Sequence, residues 1–342
     1  MAGGSIRVGR LAGIPIGVQP LWLLIVALIT WSLGAVYYPD EVAGIAPATA
    51  YALGLLSALL LFASILLHEL GHAVVARRNG VEIEEIDLWL LGGVARMSGY
   101  PQTAGAELRF ALAGPAVTLA IAALFGAAAL ALPSSAPEAL RAVVSYQALI
   151  NLAILVFNMV PAFPLDGGRV ARALLWARSG DISRATETAA KIGRGFGFAM
   201  IGIGVGGILV GAVGGIWLAL VGYFVIVAAR AEANGLRVRE AFSGREAGRL
   251  MSCPAVTIPA QTSVTDAIAE YFVALGHPAF PVVAADGQLL GLVDLGTARR
   301  VPLARRATTT TGEISLQRPS LVVDEHQDVA ELLARAEFQE LG

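Results

Sequence analysis

The chain has 342 residues, of which 56% are hydrophobic and 15% charged, with a mean hydropathy of +0.69. Soluble domains run at about 45–50% apolar and about 25% charged, so this composition belongs to a membrane protein. A net charge of -2, with no basic stripe and no interleaved aromatics, excludes nucleic acid and polyacidic partners. Cys253 is the single cysteine, which rules out an internal disulfide or a cysteine-rich metal site and leaves histidine and carboxylate as metal ligands. Apolar stretches dominate to about Val227, whereas the sequence after Gly244 alternates like a soluble domain. The expected division is a membrane domain at 1–244 and a second domain at 245–342.

Residues 4–18 (GSIRVGRLAGIPIGV) are short and alternating and carry Arg7 and Arg10, which predicts one extended strand at the membrane surface. A first span is predicted from about Pro20 to Tyr38. It is too long for a cleaved signal peptide, and no A-x-A-like site follows it. A second span runs from about Ala50 to Ala76, and its later half holds ILLHELGHAVVARR, residues 65–78. His68 and His72 are four residues apart, so on a helix both rings can turn to one metal ion with Glu69 beside them. A histidine in a helix is commonly a satisfied core residue. Three ionisable groups within five positions of a bilayer span, however, are too expensive to keep without a shared task.

Val81–Met97 (VEIEEIDLWLLGGVARM) changes to strand period, with Gly92-Gly93 expected at the turn of a hairpin. That hairpin is either a plain connection or an open backbone edge beside the metal helix. A third span, Ala106 to Leu132, contains Gly114-Pro115, which should bend or break it and admit a neighbouring helix. A fourth runs from Arg141 to Val160. It leads into NMVPAFPLDGGR, residues 158–169, whose two prolines stop the helix and force an extended stretch. Asp166 then opens a helix to about Arg178, so it is either the N-cap or a third metal ligand. Asn158 is open between interhelical glue and a functional amide. Two further spans lie between Glu187 and Ala228. Gly207, Gly211 and Gly215 repeat at four-residue spacing there, with Gly202 and Gly206 before them, and predict close helix packing.

The arginines and lysine fall on alternate sides of this six-span layout, near residues 7–10, 77–96, 169–194 and 230–239. The positive-inside rule then places both termini in the cytoplasm, in a multi-pass protein of the cell membrane. The predicted fold class is a polytopic α-helical membrane protein of about six spans, with a small membrane-associated β-hairpin and a C-terminal α+β domain.

HELGH at 68–72 in a span, GGVAR at 92–96, AGP at 113–115 and NMVPAFPLDGGR at 158–169 in a later span together resemble the site-2 protease family of intramembrane zinc metalloproteases. The resemblance covers about the first 230 residues and implies hydrolysis of peptide bonds in or near transmembrane segments. It implies that His68, His72 and Asp166 bind Zn2+, that Glu69 is the catalytic base, and that Asn158 steadies the reacting carbonyl. It also implies that Gly92, Gly93 and Val94 take the substrate as an added strand, and that the substrates are transmembrane proteins, anti-sigma-factor-like ones among them. The layout looks like the branch without a PDZ domain in an outer loop.

The tail from about Ala247 resembles a CBS-domain pair, through Pro254-Ala255-Val256-Thr257-Ile258, Ser263-Val264-Thr265-Asp266-Ala267 and Gly276 to Val283 with Gly291-Leu292-Val293. A second copy starts at Gly312, with Leu321-Val322-Val323 as its first strand and a helix from Asp328, and looks incomplete at Gly342. Such pairs imply adenine-nucleotide binding and homodimerisation, although Asp294-Leu-Gly-Thr297 departs from the usual adenosine segment. The competing class is a CBS-regulated transporter or channel lined by the same polar residues. Glu69, set between two ligand histidines, has no use in a permeation path.

Overall fold

The computed structural model describes residues 5–89, 92–98, 101–212, 214–317 and 322–333. Among these residues six helices are long and apolar enough to cross a membrane: Leu21–Glu41, Pro47–Arg78, Ala104–Ala131, Glu138–Asn158, Ile182–Leu209 and Gly214–Phe242. Their outward faces carry Leu23, Leu59, Leu124, Leu149, Ile203 and Trp217, all exposed. An exposed apolar surface of this extent is stable in lipid and not in water. The protein is therefore a multi-pass membrane protein. Its first span is α1 (Leu21–Ser32), which continues through one π-helical turn (Leu33–Tyr37) into α2 (Tyr38–Glu41). The remaining helices of the bundle are α3 (Pro47–Arg78), α4 (Ala104–Ala131), α5 (Glu138–Asn158), the shorter α6 (Asp166–Ser179), α7 (Ile182–Leu209) and α8 (Gly214–Phe242).

A four-stranded sheet lies along the C-terminal half of α3. It is formed by β1 (Ile6–Leu11), β2 (Ile14–Val18), β3 (Glu82–Trp89) and β4 (Gly92–Ser98), in the order β1-β2-β3-β4. Two expectations are corrected by it. The N-terminal segment is a hairpin, because Ala12 and Gly13 both take positive φ and turn the chain; β2 then pairs in parallel with β3. The second correction concerns Gly92 and Gly93. They open β4, opposite Trp89 and Leu88, so both glycines lie in a strand where a turn was expected. Ile14, Ile16 and Ile86 pack on Ala73, Leu66 and Leu70 of α3, which fixes the sheet to the helix that carries the HELGH motif.

Glycines set how closely the helices approach. A Cβ at Gly54 would press on the Thr30 carbonyl, and one at Gly71 on the Ala113 carbonyl and Val117. Helix α4 runs unbroken through Pro115, contrary to the expected break, while Gly114 does admit its neighbour closely. In the α7–α8 pair the contact glycines are Gly197, Gly204, Gly215 and Gly222, whose Cβ positions are filled by the facing backbone. Of the glycines singled out by spacing, Gly215 is in that contact. Gly202, Gly206 and Gly211 meet nothing there, and Gly207 only loosely faces Gly215. Seven-residue spacing keeps one helical face over two turns, whereas steps of four drift off it.

Charge is buried at one point where three helices meet. Arg172 of α6 donates to Glu107 of α4 through Nε at 3.0 Å and Nη2 at 2.5 Å, and to Glu232 of α8 through Nη1 at 2.5 Å. Its guanidinium also covers the Phe163 ring at 5.2 Å. Arg172 and Glu107 are both buried.

Residues Phe242–Gly342 form a second compact unit, separate from Met1–Ala241. Strand β5 (Ile258–Pro259) pairs in parallel with β6 (Ala279–Val283), which pairs antiparallel with β7 (Leu289–Asp294). Ile258, Val264, Phe272, Phe280, Val282 and Val293 form its core. Asp294 accepts from Thr297 N at 2.7 Å and from Thr297 Oγ1 at 2.8 Å, so the atypical segment is a helix cap in this chain. The segment 322–328 is irregular where a strand was expected, with Leu321 outside the described residues, and a helix follows at Val329–Leu333. Backbone N–H groups of Ala247 and Gly248 donate to Gln327 O and Glu325 O, tying the start of this unit to its later part.

The buried charge cluster yields a test. Arg172→Leu strands Glu107 without its partner and should cost about 3–5 kcal/mol, whereas Arg172→Leu combined with Glu107→Leu should recover most of that loss. Thermal unfolding in detergent of the single and double variants measures the difference.

Candidate metal centre

The HELGH turn of α3 is buried against α4 and α6. His68 Nε2 and His72 Nε2 lie 3.1 Å apart. Asp166, from α6, reaches them with Oδ2 3.1 Å from His68 Nε2 and Oδ1 3.2 Å from His72 Nε2. The ligand atoms of the three residues all fall within 4.8 Å of one another. The two stretches that are 98 positions apart in sequence therefore meet at one point.

The partners on the far side of each ring decide what these atoms can bind. His72 Nδ1 is 2.8 Å from the Phe110 carbonyl, and a carbonyl can only accept, so Nδ1 carries a proton and, in the neutral ring, Nε2 keeps its lone pair. His68 Nδ1 is 2.8 Å from Thr118 Oγ1, which supports the same tautomer when the hydroxyl accepts. Two imidazole lone pairs and a carboxylate then face each other in a buried site. Asp166 Oδ2 is itself buried and accepts no hydrogen bond among the described residues. That arrangement repels itself unless a cation joins the three, so the residues fit a divalent metal with nitrogen and oxygen ligands.

Local sequence explains each placement. Leu165 is the N-cap of α6, and Asp166, the first helical residue, makes no capping bond, so its carboxylate is free to point at the histidines. A Cβ at Gly167 would strike the carbonyls of Met159 and Val160, and one at Gly168 would strike Ala162 and Phe163. Residues 159–165, expected to be extended, are instead a run of tight turns, with Ala162 N–H bonded to Val160 O and Leu165 N–H to Ala162 O, and the two glycines seat these turns directly on α6. On the opposite side a Cβ at Gly114 would collide with Nε2 of both His72 and His68. Only glycine lets α4 pass this close to the ligands.

Glu69 lies beside the ligands and packs against β4, since a Cβ at Gly93 would meet its Cγ and Cδ. Gly93 therefore brings the edge strand to the carboxylate, with Gly92 and Val94 next to it in β4. Asn158 is the last residue of α5 and is half-buried, and it makes no hydrogen bond to the ligand set among the described residues. Sequence reading passed over Thr118, the Phe110 carbonyl and Arg169, whose guanidinium lies 5.2 Å over the Phe110 ring. A hydroxyl in an otherwise apolar helix one turn after Gly114 was the available sign for Thr118. A backbone carbonyl leaves none.

Six spans around a buried site of two histidines and one aspartate, with a glutamate alongside, define a membrane-embedded metalloenzyme. Residues 56–136 and 130–202 match the family model "Peptidase family M50", and residues 247–303 match "CBS domain". Rip3 of Mycobacterium tuberculosis is 41% identical over 91% of this chain and 80% of its own length. The protein sll0528 of Synechocystis is 34% identical over 98% of this chain and 89% of its own. Both are named as candidate zinc metalloproteases. The solved site-2 protease of Methanocaldococcus jannaschii is 33% identical over 67% of this chain and 95% of its own, with a TM-score of 0.44. The chain belongs to peptidase family M50, the site-2 protease family: it is an intramembrane zinc metalloprotease with a CBS domain, and the transporter reading finds no support among these relatives.

The contacts behind the ligands carry a prediction. Gly114→Ala, which pushes on both Nε2 atoms, and Thr118→Val, which removes the partner of His68 Nδ1, should each weaken zinc binding about 10–100-fold. Competition with a chelator measures it.

Proposed function

We propose that His68, His72 and Asp166 hold the zinc ion and that Glu69 is the general base for hydrolysis of a peptide bond presented along β4. The observation that carries this reading is the packing of Glu69 on Gly93, which joins the base to an edge strand beside the three ligands. When bound, zinc supplies a Lewis acid that acidifies water and polarises a carbonyl. Glu69 takes a proton from water as its oxygen adds to the carbonyl carbon, and returns the proton to the amine as the C–N bond breaks. Asn158 stands at the end of α5, where its amide N–H can donate to the carbonyl oxygen as charge develops.

The substrate is a transmembrane segment, anti-sigma-factor-like proteins included. Its carbonyls are tied up in i to i+4 bonds, so it must unwind before cleavage. Gly92, Gly93 and Val94 would hold it extended by strand addition, because β4 ends the sheet order and pairs only with β3 among the described residues. Both termini lie on the cytoplasmic side of the cell membrane. The distribution of arginines supports this orientation, as does the bond from Arg77 Nη1 at the end of α3 to Ala12 O in the N-terminal hairpin. A membrane domain at 1–244 does the chemistry, and the CBS region at 245–342 tunes access or dimerisation.

Glu69→Gln should keep about one zinc per chain and lose about 10²–10⁴-fold in cleavage rate, the span expected of a general base. Metal analysis and cleavage of a transmembrane substrate in vesicles test it together; full activity in this variant would remove Glu69 as base. For the tail, ATP should change the cleavage rate of the full chain by less than about five-fold, a coupling of about 1 kcal/mol. A larger effect would make the CBS region a working nucleotide switch.

A further inference from the structure

Helices α3 and α4 run antiparallel: His68 meets Thr118, Gly71 meets Ala113 and Val117, and His72 meets the Phe110 carbonyl. On their outer side, where Leu112 and Ala116 are exposed, they leave a groove of about 530 Å3. That volume lies within the range of about 300–1,000 Å3 usual for ligand sites. Its lining is ordered along the helix axes. Arg109, Leu112, Ala113 and Ala116 stand at intervals of three and four on one face of α4, and Val75, Arg78 and Asn79 do the same on α3. The polar residues gather at one end, where α3 finishes at Arg78 with Asn79 as its cap and Arg109 stands early in α4. The rest of the lining is apolar. From Arg109 to Ala116 is about 10 Å of helix, against about 15 Å for the hydrocarbon of one leaflet. The groove is basic at the membrane surface and apolar over most of a leaflet's depth.

The charge at the basic end is not neutralised from within the protein. Arg109 Nη2 donates to the Asn79 amide oxygen at 2.8 Å, a bond that spans the two helices and leaves the positive charge in place. Arg78 is exposed, and among the described residues it has no hydrogen bond and no ion pair. Its neighbour Arg77 is turned elsewhere, to Ala12 O. Other arginines of the bundle do have carboxylates: Arg172 has Glu107 and Glu232, and Arg237 has Glu187. Two uncompensated guanidinium groups at one mouth call for an anion, and phosphate suits their donors.

The two halves of the groove together select the occupant. A free phosphate answers the arginines and leaves the apolar lining bare. A zwitterionic lipid fills the apolar lining and brings no net charge to the mouth. A phosphodiester that carries acyl chains and a net negative charge answers both, and basic pockets between membrane helices bind such headgroups.

We propose that the groove between α3 and α4 binds one anionic glycerophospholipid, with its phosphate between Arg78 and Arg109 and an acyl chain along Val75, Leu112, Ala113 and Ala116. The orientation proposed above puts this site in the cytoplasmic leaflet, where anionic lipids are held. Detergent micelles have no sides, so binding there tests the groove whichever way the chain is inserted. Native mass spectrometry of the zinc-loaded full-length protein, titrated with phosphatidylglycerol and with phosphatidylcholine of the same acyl chains, is the measurement. One phosphatidylglycerol per chain should bind about 10–30-fold tighter than phosphatidylcholine, the preference that two arginines near a bilayer surface supply. Arg78→Gln combined with Arg109→Gln should bring that ratio to about 1 and leave phosphatidylcholine binding unchanged. Ala116→Trp fills the groove and keeps the charge; it should weaken phosphatidylglycerol about ten-fold, the equivalent of two buried methylenes. If the double variant does not fold, Arg78→Gln alone, at an exposed side chain, should cut the ratio about five-fold and decides. Equal affinity for the two lipids overturns the proposal and leaves ordinary boundary lipid. Glycerol phosphate binding as tightly as phosphatidylglycerol overturns it in favour of a bare phosphate site. A dimer in lipid-free micelles that Ala116→Trp abolishes overturns it in favour of a second copy of the chain on this face.

Discussion

Two imidazole nitrogens and a carboxylate share one small space inside the bundle, and with the rings neutral a divalent cation turns their mutual repulsion into attraction. The surrounding structure serves that constraint. Each ring is held from behind by Thr118 or the Phe110 carbonyl, α4 approaches at Gly114, and the turns before α6 are seated on Gly167 and Gly168. A side chain at Gly114 would press on both imidazoles, and one at Gly167 or Gly168 would lift α6, with Asp166 at its start, off residues 159–163. The metal centre is in this sense built by removing Cβ atoms as much as by adding ligands.

Helix α6 has a distinct part in this. Among the described residues it is the one helix of eight residues or more in the bundle that is not a candidate span. It carries Asp166 at its start, Arg169 over Phe110, and Arg172 between Glu107 and Glu232. An ion cluster buried in protein gains little stability over apolar packing, yet it fixes rotation and depth. Those are the two coordinates an aspartate must have right to meet two histidines on another helix.

The sequence made the spans and the ligand types legible because both rest on local rules. Apolar length marks a bilayer helix, and a four-residue interval puts His68 and His72 on one face. Asp166 could be read two ways until the contact with α3 was seen, since an aspartate opening a helix has an ordinary job as its cap. The N-terminal hairpin was hidden because Ala12 is not a residue that usually signals positive φ. The misplacement of Gly92-Gly93 at a turn has a similar origin. A glycine pair reads as a turn locally, whereas here Gly93 answers to Glu69, which lies 24 positions earlier. In the α7–α8 pair the contact glycines sit at intervals of seven, and the denser four-residue series masked them. What escaped sequence reading was decided by distant neighbours.

The parallel pairing of β2 with β3 has a consequence for biosynthesis. Two membrane spans separate these strands, so β2 must wait at the membrane surface while both are made and inserted before its partner emerges. Strand β4, which closes over Glu69, comes later still, and Asp166 follows only after two more spans. A nascent chain thus displays HELGH before either β4 or Asp166 has been made. On the proposed assignment of Asp166 as a ligand, the protein cannot cut its neighbours during translation, and competence arrives when α6 docks.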